Sequence, residues 1–128
     1  MNLPQLYKPI PTFPCIPGCH DCCGRVPFLP EEWKKLSPKE LKRAEFCQEV
    51  IAGFGQLIGK QPHCPFVSEK GCTIYHNRPF YCRLFGTTKA LKCPHGRQPK
   101  KLLSDQMSNK LTTEYAKQSA AKGIHSCF

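Results

Sequence analysis

Apolar residues recur at helical spacing in two segments of the chain. One set follows Ser37, and its members fall on a single helical face: Leu41, Ala44, Cys47, Ile51, Phe54 and Ile58. Ser37, Pro38 and Glu40 form a typical helix start, with an N-cap, a first-turn proline and a capping-box acid. The second set repeats every four positions and ends before a C-cap glycine, Gly123: Leu103, Met107, Leu111 and Tyr115. We predict helices starting near residue 38 and over about 102–122, the second docked through its apolar stripe.

Shorter elements are predicted around these helices. Pro30 and the two acids after it suit a first helical turn, because proline lacks only an N–H that is unpaired there and acids favour the helix dipole. Residues 64–75 resemble a short β-hairpin whose turn lies at 68–71. A helical turn is expected after Pro79, and it carries Cys82. Residues 1–14 are interrupted by prolines and are expected to be extended.

The length and composition predict one small domain. The chain has 128 residues, of which thirteen are proline and nine are glycine, so long regular elements are few. We expect a small, irregular α-rich (α+β) domain in which two or three helices and a short β-hairpin are stapled by metal around a cysteine cluster. Its parts are an extended arm (1–14), a cysteine-cluster metal-binding domain (15–96) and a basic C-terminal helix docked on the same domain (97–128).

Eight of the ten cysteines form two groups that suit metal binding. Their members are Cys15, Cys19, Cys22 and Cys23, then Cys64, Cys72, Cys82 and Cys93. Thiols at such short spacings can converge on a soft metal, either a structural zinc ion or an iron–sulfur cluster. The adjacent Cys22 and Cys23 point to opposite sides of an extended chain. Either one of them is not a ligand or the two face different centres.

Disulfides are the competing use of so many cysteines. They are typical of exported proteins, and the first residues lack the apolar core of a signal peptide. No apolar run approaches the length of a membrane span. We therefore expect a cytoplasmic protein with reduced thiols. Cys47 is expected in the apolar core and Cys127 is expected to be free.

The second cysteine group carries a family resemblance. The chain reads Cys64-Pro-Phe, then Gly71-Cys72-Thr-Ile-Tyr75, then Arg78-Pro79-Phe-Tyr-Cys82-Arg83. Together with the N-terminal cysteine loop and the late Cys93, this order resembles the YkgJ-type cysteine-cluster family over residues 15–96. That family is named for a proposed zinc- or iron-chelating domain and includes relatives of flagellin lysine-N-methylase. The resemblance implies a metal site built from the cysteines and leaves the reaction open.

Three further residues lie among the expected ligands. Arg78, Arg83 and Tyr75 are interpreted as neighbours of a bound cofactor, because an arginine that keeps its charge can orient thiolates and tune a metal centre. The alternative is a surface arginine that packs on Tyr75 or Phe80. Histidines close to cysteines could replace a sulfur ligand and would favour zinc: His20, His63, His76 and His95.

The positive charge of the chain is compatible with more than one kind of partner. The chain carries a formal +10, and from Arg78 onward it has ten Lys or Arg and two acids. Part of this excess can balance thiolate-rich centres; part can meet a redox or protein partner through the basic C-terminal region. Nucleic acid has no supporting motif. The two function hypotheses are an iron–sulfur protein, with a [4Fe–4S] cluster, in electron transfer or redox support of a modification reaction, and a structural-zinc module that contacts nucleic acid or a protein.

Overall fold

The computed structural model describes residues 1–13, 26–45, 64, 66–68 and 71–126. The helices are α1 (Leu3–Tyr7), α2 (Pro30–Trp33), α3 (described over 38–45), α4 (Phe80–Leu84) and α5 (Asp105–Lys122). The strands are β1 (Pro27–Phe28), β2 (Val67–Ser68), β3 (Gly71–Cys72) and β4 (His125–Ser126), and Tyr75–Asn77 is a 3₁₀ turn. The described residues thus form a small, mostly helical domain. Several predictions lie outside them, namely those on Cys15, Cys19, Cys22, Cys23, Cys47, Ile51, Phe54, Ile58 and Cys127.

The N-terminal segment is helical where the sequence predicted an extended arm. Asn2 caps α1 by accepting a hydrogen bond from the Gln5 N–H at its Oδ1 (3.0 Å), and the Asn2 N–H donates to Oε1 of Gln5 (2.9 Å). Pro4 lies in the first turn, where its missing N–H costs nothing. Leu3 and Leu6 are buried and anchor the helix in the core. The extended arm was therefore the wrong prediction for these residues.

Two clusters of buried side chains make up the core of the described residues. The first joins α1, α4 and α5 and contains Leu3, Leu6, Ile10, Leu29, Phe80, Leu84, Leu103, Leu111 and Tyr115. The second contains Phe28, Leu36, Ala44, Phe66 and Ile74. Phe28 and Leu29 enter different clusters because successive residues of an extended chain point to opposite sides. The segment around β1 therefore separates the two clusters.

The predicted start of α3 is confirmed. The Ser37 N–H donates to Glu40 Oε2 (2.8 Å) and the Glu40 N–H donates to Ser37 Oγ (3.3 Å), which is a capping box. Ala44 is fully buried in the second cluster and Leu41 packs against it. The apolar face of the helix is thus confirmed as far as the described residues extend.

Two short antiparallel pairs complete the architecture. β2 pairs with β3, Val67 opposite Cys72, which confirms the expected pairing with strands shorter than predicted. β1 pairs with β4, Phe28 opposite His125, and fixes the segment after α5 beside the segment before α2. This second pair was not predicted.

The C-terminal helix forms over most of the segment that the apolar repeat predicted to be helical. Ser104 caps α5 by accepting from the Met107 N–H (3.2 Å), and Gly123 ends it with a φ of 80°. Leu111 and Tyr115 are buried in the first cluster, while Met107 is partly buried. Among the described residues, α5 and every other helix are too short or too polar to cross a membrane.

Gly86 follows α4 in a conformation that favours glycine, with a φ of +83°. A Cβ there would overlap Cζ of Phe13 and lie 2.9 Å from its Cε1. Gly96 has a similar φ of +74°, but a Cβ there meets no atom within 4 Å. An alanine at either position would have the strain of a positive φ, and an alanine at Gly86 would also displace Phe13. Comparison of the two positions therefore distinguishes the cost of backbone strain from the cost of steric overlap.

We expect Gly86→Ala to lower the free energy of unfolding by about 2–3 kcal/mol and Gly96→Ala by about 1 kcal/mol. The difference between the two reflects the displacement of Phe13. Urea denaturation of both variants measures it. Equal losses would show that the Phe13 contact contributes nothing.

Candidate metal centre

The four described cysteines lie at four different points of the fold, and each is half-buried. Cys64 and Cys72 pack against the second core cluster, Cys72 as the last residue of β3. Cys82 lies in α4, between the buried Phe80 and Leu84 of the first cluster. Cys93 begins a turn in which the Gly96 N–H donates to the Cys93 carbonyl (3.1 Å). The fold thus presents thiols from both clusters and from one loop.

The described part of the chain does not hold a complete metal site. Within it, no group of three or more His, Cys, Asp or Glu side chains is placed to hold a metal ion. The four N-terminal cysteines lie outside the described residues. Half-buried thiols are nevertheless donors that soft metals prefer. The donor chemistry fits zinc or iron, and a full ligand set needs residues besides those described.

The helix that carries Cys82 is held at its N-terminus by a buried carboxylate. The Phe80 N–H donates to Oε2 of Glu32 (2.6 Å), across 48 residues of sequence. The Arg83 N–H donates to the Pro79 carbonyl (3.2 Å) and closes the turn. A helix of five residues has little stability of its own. Its position therefore depends on Glu32 and on the burial of Phe80.

Glu32 is a residue that sequence reasoning missed as a structural centre. The residue is 1 % exposed, and its carboxylate accepts four hydrogen bonds from residues that the structure describes. The donors are the Tyr7 hydroxyl, the Leu29 N–H (3.0 Å), the Phe80 N–H (2.6 Å) and the Tyr115 hydroxyl (2.8 Å). These bonds join α1, α2, α4 and α5 at one point. One sequence signal was available: a tyrosine on the buried face of a helix needs a partner for its hydroxyl.

Burial and Glu32 together keep both tyrosines protonated. Burial, followed by the hydrogen bond to Glu32, raises the pKa of Tyr7 well above its ordinary value. Burial, followed by the negative charge of Glu32, raises the pKa of Tyr115 in the same way. Both hydroxyls therefore keep their protons, and can donate to Glu32, at pH values where an ordinary tyrosine already ionises.

The arginines expected near a cofactor are fixed by contacts within the fold. The Arg78 guanidinium lies 4.0 Å from the Tyr75 ring centroid, and its Nε donates to the Tyr75 carbonyl (3.0 Å). Arg83 donates to the Arg78 carbonyl (2.7 Å) and the His76 carbonyl (2.8 Å), and its guanidinium lies 4.2 Å from the Tyr7 ring centroid. Arg78 thus packs on an aromatic ring, as the alternative interpretation holds. A role toward a metal is a separate proposal.

Two of the histidines near cysteines are described, and both are exposed. His76 lies in the 3₁₀ turn with its ring edge-on to Tyr75, at a centroid distance of 5.8 Å. His95 lies in the turn that follows Cys93. His20 and His63 lie outside the described residues.

The fold and the thiols define a small helical domain rich in cysteine. The model of the family described as "Putative zinc- or iron-chelating domain", with the pattern CxxCxxCC, matches residues 14–114. The chain belongs to this family, which confirms the resemblance in the sequence. The match runs beyond residue 96, where the resemblance was expected to end, and includes the first half of α5. Comparisons with curated proteins and with solved structures find no match.

Membership of this family supports metal binding by the chain. The description of the family names both zinc and iron and does not choose between them. The identity of the metal and the choice of ligands are therefore matters for proposal and experiment.

Proposed function

We propose that the chain is an iron–sulfur protein that serves electron transfer or the redox support of a modification reaction. The observation that carries this proposal is the donor set. All four described cysteines are half-buried thiols, in a chain whose family is associated with iron or zinc chelation. Iron–sulfur clusters are held by cysteine thiolates, commonly four to a [4Fe–4S] cluster. A cytoplasmic location, which we propose with it, would keep these thiols reduced.

The proposed ligands come from both cysteine groups. The candidates are Cys15, Cys19, Cys22 and Cys23 with Cys64, Cys72, Cys82 and Cys93. Support comes from the described residues, in which no three donors form a site by themselves. If thiols from the second group bind metal, donors from elsewhere must join them. Eight cysteines suffice for one centre with reserve thiols or for two centres.

The proposed role of Arg78, Arg83 and Tyr75 is to set the environment of the ligands. A bound iron–sulfur cluster would supply transfer of single electrons. Arg83 is adjacent to Cys82, and its guanidinium is fixed by two backbone carbonyls and the Tyr7 ring. A fixed positive charge favours thiolate over thiol. Arg78 and Tyr75 hold the segment between Cys72 and Cys82 in one conformation.

A structural-zinc module is the second candidate function. The family description supports it equally, and the exposed His76 and His95 lie within a few residues of cysteines. Zinc accepts mixed cysteine and histidine ligands in a tetrahedral site. Such a module would serve contact with nucleic acid or a protein partner.

Anaerobic purification distinguishes the two candidates. We expect brown protein with broad absorption at about 400 nm, containing iron and acid-labile sulfide in comparable amounts. Metal analysis by mass spectrometry of the same sample measures zinc. Colourless protein that contains zinc and no sulfide would contradict the iron–sulfur proposal and support the zinc module.

A further inference from the structure

We propose that residues 87–104, here called the basic loop, form the docking surface for an acidic segment of a protein partner. Five cations of this loop are exposed: Lys89, Lys92, Arg97, Lys100 and Lys101. The sequence has no acid between Arg78 and Asp105. A single sign of charge therefore covers the loop. Such a surface steers and holds a partner of opposite charge.

Within the described residues, no ion pair engages the exposed cations of the basic loop. Among the residues that the structure describes, the ion pairs join the Met1 amino group to Glu114 (3.1 Å) and Lys122 to Glu31 (2.9 Å). Both pairs lie on α5 and its neighbours, and neither involves the basic loop. Repulsion within such a surface is relieved when an anion binds, which gives the partner a favourable electrostatic contribution.

The basic loop is irregular but held in place by buried hydrogen bonds. The Thr87 hydroxyl donates to the Leu84 carbonyl (2.5 Å), and the Leu103 N–H donates to the Thr87 carbonyl (2.7 Å). The Gly86 N–H donates to the Leu91 carbonyl (2.6 Å). Thr87 is fully buried, although the loop is rich in charge. A surface held in this way loses little conformational entropy when it binds.

A small cleft in this surface defines where one anionic group would lie. Its walls include Lys92, Cys93 and Arg97 together with Gly86, Thr88 and Gly96, and its volume is about 70 Å³. Pockets for drug-sized ligands begin at about 300 Å³. The cleft therefore suits a single carboxylate between a lysine and an arginine, beside the Cys93 thiol. We place one acidic side chain of the partner in it.

A protein partner fits this surface better than nucleic acid. The sequence has no Phe, Tyr or Trp between Gly86 and Asp105, so stacking of bases on the basic loop would depend on the single imidazole of His95. Four of its five cations are lysines, which act as point charges and lack the planar fork with which arginine recognises phosphates and base edges. The five cations that carry the surface are not among the proposed metal ligands, although Cys93 beside the cleft is one of them. The failure of this docking proposal and the failure of the iron–sulfur proposal are therefore separate results.

The test measures binding of a fluorescein-labelled oligoglutamate peptide by fluorescence anisotropy at low salt. Lys92→Gln with Arg97→Gln should weaken binding about tenfold, because two charged contacts to the peptide are removed. Lys110→Gln with Lys117→Gln is the matched control, with the same change of charge on α5. It should change the affinity by less than about twofold. Salt should weaken the wild-type complex more than the loop variant.

Three outcomes would overturn the proposal. They are equal losses in the loop and control variants, no binding of the peptide to the wild type, and tighter binding of an oligonucleotide of equal charge with the same dependence on Lys92 and Arg97. The last would assign the surface to nucleic acid. Circular dichroism melting checks that each variant is folded. Should the first pair fail to fold, the exposed Lys100→Gln with Lys101→Gln replaces it, with the same expected direction.

Discussion

Glu32→Ala is expected to unfold the protein or to lower its free energy of unfolding by about 4 kcal/mol or more. The substitution removes the acceptor of the buried Leu29 and Phe80 N–H groups and of the partly buried Tyr7 hydroxyl. The buried Tyr115 hydroxyl loses its shorter bond and keeps the longer one to the Pro27 carbonyl (3.2 Å). Each buried donor without a partner costs about 1–3 kcal/mol. Small domains have about 5–15 kcal/mol of stability in total. The loss is therefore comparable with the stability of the whole domain.

The neighbouring acid supplies the control. Glu31 has the same charge and lies in the same helix, but its side chain is 41 % exposed and, among the described residues, its ion pair is with the exposed Lys122. Glu31→Ala should cost less than about 1 kcal/mol, because exposed ion pairs contribute little. Urea denaturation of both variants, followed by circular dichroism, measures the difference. Similar costs for the two positions would contradict a structural role for Glu32.

Milder variants keep the test informative if Glu32→Ala does not fold. Glu32→Gln retains one acceptor oxygen and turns an NH₂ group toward two donors, so it should still destabilise. Tyr115→Phe removes a single donor and should cost about 1–2 kcal/mol. Because the two residues share one hydrogen bond (2.8 Å), Glu32→Gln with Tyr115→Phe should cost less than the sum of the single variants.

Local signals in the sequence predicted the elements that depend on local chemistry. Ser37 and Glu40 form the expected capping box, and the Leu111 and Tyr115 stripe is buried as expected. The start of α5 differs because Leu103 is buried without being helical, so the apolar repeat begins before the helix does. An apolar repeat at helical spacing indicates which side chains are buried, but it does not indicate at which residue the helix begins.

Elements that depend on distant contacts were missed. Glu32 is separated from Tyr7 by 25 residues, from Phe80 by 48 and from Tyr115 by 83. Its own neighbourhood shows only an acid in a first helical turn. The N-terminal helix was missed for the same reason, because a five-residue helix gains its stability from burying Leu3 and Leu6 and not from its propensity.

In the candidate metal site, too, features that depend on local sequence could be predicted, and features that depend on distant contacts could not. Residue type and spacing identify the cysteines, and the family match supports their use in metal binding. Their arrangement around a centre depends on irregular loops, whose conformations no periodic pattern encodes. The family pattern has Cys-x-x-Cys at its start, whereas Cys15 lies one residue farther from Cys19. Cys15 is therefore the ligand candidate that most needs a direct test.

Cys72→Ser and Cys82→Ser are each expected to give insoluble or unfolded protein. Both thiols are half-buried, and Cys72 packs against the second core cluster. Both lie in elements too short to be stable alone: a two-residue strand and a five-residue helix. If a metal joins these elements to the N-terminal cysteines, its binding energy is folding energy. Serine has nearly the same size but is a poor ligand for a soft metal. The expected loss therefore arises from ligation and not from packing.

Cys127→Ser is the matched control, because the sequence predicts that this cysteine is free. It should leave metal content and thermal melting unchanged. Two measurements on the same samples, metal per chain and the melting temperature by circular dichroism, should fall together for Cys72→Ser and Cys82→Ser. A chelator added to the wild type should reproduce the loss of structure.

The combination of the two measurements identifies which proposal fails. A Cys82→Ser protein that is soluble, melts cooperatively at the wild-type temperature and retains its metal would show that Cys82 is not a ligand. A protein that keeps its fold but loses its metal would show that ligation does not supply the stability of the domain. Loss of both in Cys72→Ser, Cys82→Ser and Cys19→Ser alike would support a centre that joins the two cysteine groups. Metal bound only by residues 15–23 would contradict that centre, because the variants at Cys72 and Cys82 would then retain full occupancy.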